Sequence, residues 1–151
     1  MTPDLRERLT QILALVEKED RLLCGVKERL FQGPPLDAAR LSAMLETPQG
    51  IDRLESFTSK FCRMQDTFVD KLLPIHLRSL GELPGSAIDN LRRAEQLALI
   101  DNAEGWAEMR LLRNRLVHEY VNDIGVLSEQ LLLAKAQAES LHESYLRIRG
   151  Q

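Results

Sequence analysis

Leu127, Leu131, Ala134, Ala138, Leu141, Tyr145 and Ile148 recur at alternating steps of four and three. Apolar residues at that spacing line one side of an α-helix, and the regular alternation is a heptad seam that must be buried against another helix. The seam is too short for an independent coiled coil, so it reads as one long helix packed antiparallel in a bundle. Leu, Ala, Glu, Arg and Gln abound while aromatics are 5%, so helix formers dominate and strand formers are scarce. An all-α chain is expected.

The rest of the chain carries the same period. Thr2 followed by Pro3 is a helix start, a capping hydroxyl and then a pre-set φ. Leu5, Leu9, Ile12, Val16, Leu23, Val26 and Leu30 extend that helix to Gly33-Pro34-Pro35. Asp37 caps a short second helix through Leu41 and Leu45, closed by Thr47-Pro48-Gln49-Gly50. Ile51, Leu54, Phe57, Phe61, Met64, Phe68, Leu72 and Ile75 form the next stripe, and Pro74 should kink or end it. An aromatic stripe at helical spacing is core far more often than a cofactor box.

Gly81 and Pro84-Gly85 give a turn, and Ser86 caps a fourth helix through Ile88, Leu91, Ala94 and Ala98. Asp101 and Glu104 have capping-box spacing, so a fifth helix should begin there. Trp106, Met109, Leu112 and Leu116 give its buried face, and it should stop near Asn122-Asp123-Ile124-Gly125. The sum is an antiparallel up-and-down bundle of four long helices with one short extra helix. At 151 residues the chain fits a single domain, residues 1–151.

The net charge is −3 and the hydrophobic share 44%. Such a chain is no general nucleic-acid sponge, because non-specific binding scales with the phosphates a basic surface neutralises. An RNA substrate would have to meet a local arginine cluster or a partner. Cys24 and Cys62 match no metal-ligand spacing and read as free, buried thiols. No signal-peptide pattern and no bilayer-length apolar run is present, so a cytoplasmic protein without membrane contact is expected.

Arg113-Asn114-Arg115-Leu116-Val117-His118-Glu119-Tyr120 is the stretch that carries chemistry. It puts a guanidinium, an amide, an imidazole and a phenol on about two turns of one helix. A ribose 2′-hydroxyl can attack the adjacent phosphate if a base takes its proton and a cation stabilises the developing charge. His118 can serve as acid or base near neutral pH, and Arg113 offers a planar, permanent cation for phosphate oxygens. Asn114 can orient the imidazole or bind substrate. Each residue also has a bland reading: a surface histidine, an arginine paired with Glu119 or a neighbouring-helix carboxylate, a core tyrosine with its hydroxyl at the edge. At about 100° per residue, His118 lies about 140° from Arg113, so one helix cannot aim both at the same atom. A flexible arginine or a second copy of the helix can close that gap. No Asp, Glu and His set with metal-ligand spacing accompanies the motif, so neither metal nor cofactor is expected.

The order Arg113-x4-His118-x-Tyr120 resembles the R-x4-H-x-Y signature of the HEPN superfamily, in its HepT-like branch. Leu99-Ile100-Asp101, Glu104, Trp106 and Met109 ahead of Arg113-Asn114 resemble the approach to the motif in that branch, over roughly 54–123. The segment Gly33 to Gly50 is longer than the family's usual connection. The resemblance implies a metal-independent endoribonuclease toxin with Arg113 and His118 as the catalytic pair and Asn114 and Tyr120 as accessory residues. It also implies a homodimer with the two motifs facing each other, and a nucleotidyltransferase-fold antitoxin as partner. In some such pairs the antitoxin transfers AMP onto the motif tyrosine, here Tyr120. Arg110 and Arg115 flank the motif as candidate RNA contacts, with Arg92-Arg93 as further local charge. Two other readings stay open: a non-catalytic HEPN module that binds nucleotide or positions a nucleotidyltransferase, and a structural bundle whose motif is fortuitous.

Overall fold

The computed structural model describes residues 1–118 and 123–150, with the side chains of 117 and 118 excepted. Its elements are α1 (Pro3–Phe31), α2 (Ala38–Met44), α3 (Pro48–Thr67), a π-helical segment (Phe68–Leu72), α4 (Leu73–Ser79), α5 (Ala87–Gln96), α6 (Ala103–His118) and α7 (Ile124–Arg149). The chain is all-helical, with no strand among the described residues. No helix among them is long and apolar enough to cross a membrane. Three helices are short, α2, α4 and α5, with α4 following α3 directly through the π segment, where one short helix was expected.

Several caps follow from the sequence directly. Thr2 accepts from Leu5 N at 3.2 Å with Pro3 in the first turn, Asp37 caps α2, and Ser86 caps α5. Thr47-Pro48 is the same device. Thr47 Oγ1 accepts from Gly50 N at 3.1 Å, so the string expected to close α2 opens α3. Gly50 is required there: a Cβ on it would lie 1.9 Å from the Met44 carbonyl oxygen.

Pro74 does not end its helix. It falls in the first turn of α4, directly after the π segment, and the helical backbone continues to Ser79. A proline lacks an N–H and its ring collides with the carbonyl four residues back; a wider π turn ahead of it gives that carbonyl room.

α4 and α5 end in the same way. Glu82 N bonds Leu77 O and Gly81 N bonds Arg78 O; Leu99 N bonds Ala94 O and Ala98 N bonds Glu95 O. Both are Schellman endings, and the residue at the turn has φ +81° in Gly81 and +59° in Ala98. Ala98 thus lies beyond α5, not in it as expected. The turn sends Leu99 and Ile100 into the core. Asn102, not Asp101, then caps α6: its Oδ1 accepts from Gly105 N at 3.2 Å, while Asp101 pairs with Arg147 at 3.0 Å.

α1 packs on α3, α4 and α7, while α6 packs on α3, α5 and α7. All seven seam residues of α7 are buried, and so is the Leu54-to-Ile75 stripe; Ile51 alone of that stripe is exposed. Phe57 and Phe61 stack at 5.9 Å and Phe31 meets Phe57 edge-on. Trp106 of α6 lies 5.0 Å from Phe68 in the π segment. Both rings are buried, a contact worth about 0.5–1.5 kcal/mol beyond the burial of their area. It fixes how α6 is rotated against the α3–π–α4 rod. Both cysteines are free; Cys62 is buried, but Cys24 is only half-buried.

Candidate functional site

The rotation of α6 decides what its polar residues meet. Trp106, Leu112 and Leu116 are buried, which turns Arg110 and Arg113, three residues apart, toward the rod. There Cys62, Asp66 and Asp70 follow each other at four-residue spacing on one side. Arg113 Nη2 donates to Asp66 Oδ2 at 2.8 Å. Arg110 meets Asp70 as a fork, Nη1 to Oδ1 at 3.2 Å and Nη2 to Oδ2 at 3.3 Å. Asp66 takes the later arginine and Asp70 the earlier, so α6 runs opposite to the rod here.

These pairs are partly open to water, so each is worth about 0.2–1 kcal/mol and serves mainly to hold the arginines in place. Arg113 Nη1 also donates to Asn114 Oδ1 at 3.1 Å, and its Nε is buried with no hydrogen-bond partner among the described residues. The Arg113 side chain is only 24% exposed. Of the bland alternatives for Arg113, the neighbouring-helix carboxylate is the one found, in Asp66. The Asn114 carbonyl oxygen is likewise committed to Arg113.

Cys62 lies beside this pair. Burial pushes its thiol pKa up, Asp66 adds to that, and the Arg113 guanidinium pulls it back in part. A buried thiol of this kind is an inert space-filler rather than a nucleophile.

The opposite side of α6 is solvent-facing. Leu111 is 62% exposed, and Asn114 and Arg115 are exposed with it. Arg115 is about 200° round the helix from Arg113. Arg110 therefore flanks Arg113, whereas Arg115 belongs to the other face. The His118 side chain and Tyr120 lie outside what the structure describes. Further charge is locally offset: Arg92 pairs with Glu104 at 3.3 Å, and Arg93 pairs with Glu82. That pairing holds the Glu82 carboxyl below its ordinary range.

Sequence reasoning missed Asp66 and Asp70. Their only signal is a four-residue spacing beside an apolar stripe, which surface carboxylates share. The chain matches no family model, no curated protein and no solved structure.

Proposed function

We propose that this chain is a metal-independent endoribonuclease of the HEPN type, HepT-like, and the toxin of a toxin–antitoxin pair. In this reading it folds as a single-domain up-and-down bundle, works in the cytoplasm as a homodimer and is neutralised by a nucleotidyltransferase-fold antitoxin. The observation that carries the reading is the ordered set Arg113, Asn114, His118 and Tyr120 within eight residues. The chemistry then assigns itself by group. His118 takes the proton of a ribose 2′-hydroxyl, the 2′-oxygen bonds the adjacent phosphorus, and the 5′-oxygen leaves with a proton returned by an acid. Arg113 stabilises the phosphate as charge builds on its oxygens. In such a complex the phosphate replaces Asp66 or Asn114 on the guanidinium.

A second copy is favoured by Leu111. A large apolar side chain exposed beside Asn114 and Arg115 suits an interface that buries it. Two copies also supply what one helix lacks, an arginine and a histidine approaching one phosphate from different helices. AMP on Tyr120 would add charge and bulk beside Arg113 and occupy the place meant for RNA phosphate.

The Asp66 contact favours one other reading. An arginine already neutralised suits a non-catalytic HEPN module that binds nucleotide or scaffolds a nucleotidyltransferase. Cleavage of a labelled RNA in EDTA by purified protein, beside His118→Ala, separates the two. The proposal expects cleavage by the wild type alone, leaving 2′,3′-cyclic phosphate ends. No cleavage by protein with unmodified Tyr120 overturns it in favour of the binding module.

A further inference from the structure

Away from α6, α1 and α7 bring three donor groups of different chemistry to one point. Asp20 and Cys24 stand one helical turn apart on α1, and His142 faces them from α7. His142 Nδ1 is 2.8 and 3.0 Å from the two Asp20 oxygens. Cys24 Sγ is 3.9 Å from His142 Nδ1 and 3.9 Å from Asp20 Oδ1. One ligand atom from each lies within 4.8 Å of the other two. We propose that Asp20, Cys24 and His142 form a three-ligand site for a borderline divalent cation of the zinc class.

The geometry is close to what such an ion needs. Zinc binds oxygen and nitrogen at about 2.0–2.2 Å and sulfur at about 2.3 Å. Donors at tetrahedral angles round it stand about 3.3–3.6 Å apart on those lengths. The sulfur has to move in by a few tenths of an ångström and the imidazole out by a similar amount, which side-chain rotation on fixed helices supplies. Carboxylate, thiolate and neutral imidazole match the two positive charges of the ion. Asp20 is buried to 10% side-chain exposure whereas His142 is 40% exposed, so the open side faces solvent and leaves a fourth position for water. The residues around it balance: Lys27 is held by Glu139 at 3.8 Å, and Glu28 acts on Cys24 with the opposite sign to Lys27.

The same three groups do not suit a cysteine nucleophile. Burial, and then the Asp20 carboxylate, raise the Cys24 pKa, the reverse of what an activated thiolate needs. A cation reverses that effect. On binding, the Cys24 proton leaves to solvent and the thiolate bonds the ion. His142 binds through Nδ1 as the tautomer with its proton on Nε2, and Asp20 exchanges its hydrogen bond for a metal bond. The site would tie α1 to α7 across residues separated by 118 to 122 positions. This proposal is independent of the ribonuclease reading.

Co2+ titrated into reduced, metal-free protein tests it. The expected result is the visible absorption of tetrahedral Co2+ with a thiolate-to-cobalt band in the ultraviolet, lost on adding one equivalent of Zn2+. Cys24→Ser should abolish the thiolate band and His142→Ala should weaken binding by at least about 100-fold, since removing a direct ligand costs more than removing a residue that only hydrogen-bonds one. Cys62→Ser should change nothing. Zn2+ should raise the melting temperature by several degrees, the shift growing with free metal. In the wild type, Zn2+ should also shield Cys24 from alkylation. No thiolate band, a band that survives Cys24→Ser, or an alkylation rate indifferent to Zn2+ would overturn the site and leave an ordinary Asp20–His142 ion pair.

Discussion

Arg113 and Asp66 are joined by a 2.8 Å contact between Nη2 and Oδ2, from helices that meet only through the fold. The residue with the strongest claim to bind phosphate thus already holds an anion of the protein's own. A ligand phosphate would exchange with Asp66 rather than fill a vacant cation, and that exchange sets the first prediction.

Asp66→Ala should free the guanidinium at little structural cost. The pair is partly solvated, so we expect a stability loss of no more than about 1 kcal/mol in urea denaturation. Binding of a short RNA, followed by fluorescence anisotropy, should tighten several-fold and become more salt-sensitive. Unchanged binding would mean that Arg113 is structural.

Leu111→Glu should separate the copies of a dimer without touching the fold. Leu111 is 62% exposed in the single chain, so its replacement should change monomer stability by within about 0.5 kcal/mol. Sedimentation should show the wild type as a dimer at micromolar concentration and the variant as a monomer. A monomeric wild type contradicts the two-fold arrangement.

Gly50→Ala and Ala98→Gly should act in opposite directions. The first drives a Cβ into the Met44 carbonyl and should cost about 1–3 kcal/mol or more. The second relieves a left-handed alanine at a helix ending that Gly81 makes without strain, and should gain about 1 kcal/mol. Thermal denaturation of the two single variants reads both.

Glu19→Gln should stabilise the protein in a pH-dependent way. Glu19 is buried on α1, and desolvation raises its pKa above the ordinary 4.5, against a hydrogen bond from Thr67 and the charges of Arg63 and Lys71. The protonated acid suits the folded site, so its contribution is full below the unfolded-state value and declines as pH rises through the raised one. Denaturation midpoints should therefore favour the glutamine variant at pH 7 and converge with wild type below about pH 4. A variant that is less stable at pH 7 would mean that Arg63 and Lys71 need the carboxylate.

The helices were legible wherever period alone decides. The α7 seam is buried residue for residue, because seven apolar positions on one line leave a helix no other face to hide. Ends were harder. Thr47-Pro48 repeats the signal of Thr2-Pro3, yet the glycine after it reads as a turn until packing shows Met44 against Gly50. Asp101 and Asn102 are both good caps, and only the folded contacts, Asn102 with Gly105 N and Asp101 with Arg147, tell them apart. Ala98 hides a Schellman ending because the usual glycine is missing. Local order put Arg113 and Asn114 side by side on α6, but Asp66 is 47 residues from Arg113 and His142 is 118 from Cys24. Pairings at such range depend on which faces two helices turn to each other, which spacing along one of them does not encode.

The π segment ahead of Pro74 has a further consequence. A turn with one residue more than an α turn shifts the phase of everything after it by about 100°. Side chains before and after it share α1 but otherwise meet different neighbours: α3 packs on α2, α6 and α7, while α4 packs on α5. Deleting one residue between 68 and 72 would restore a plain helix and at the same time swivel Pro74, Ile75 and Leu77 off the surfaces they now fill.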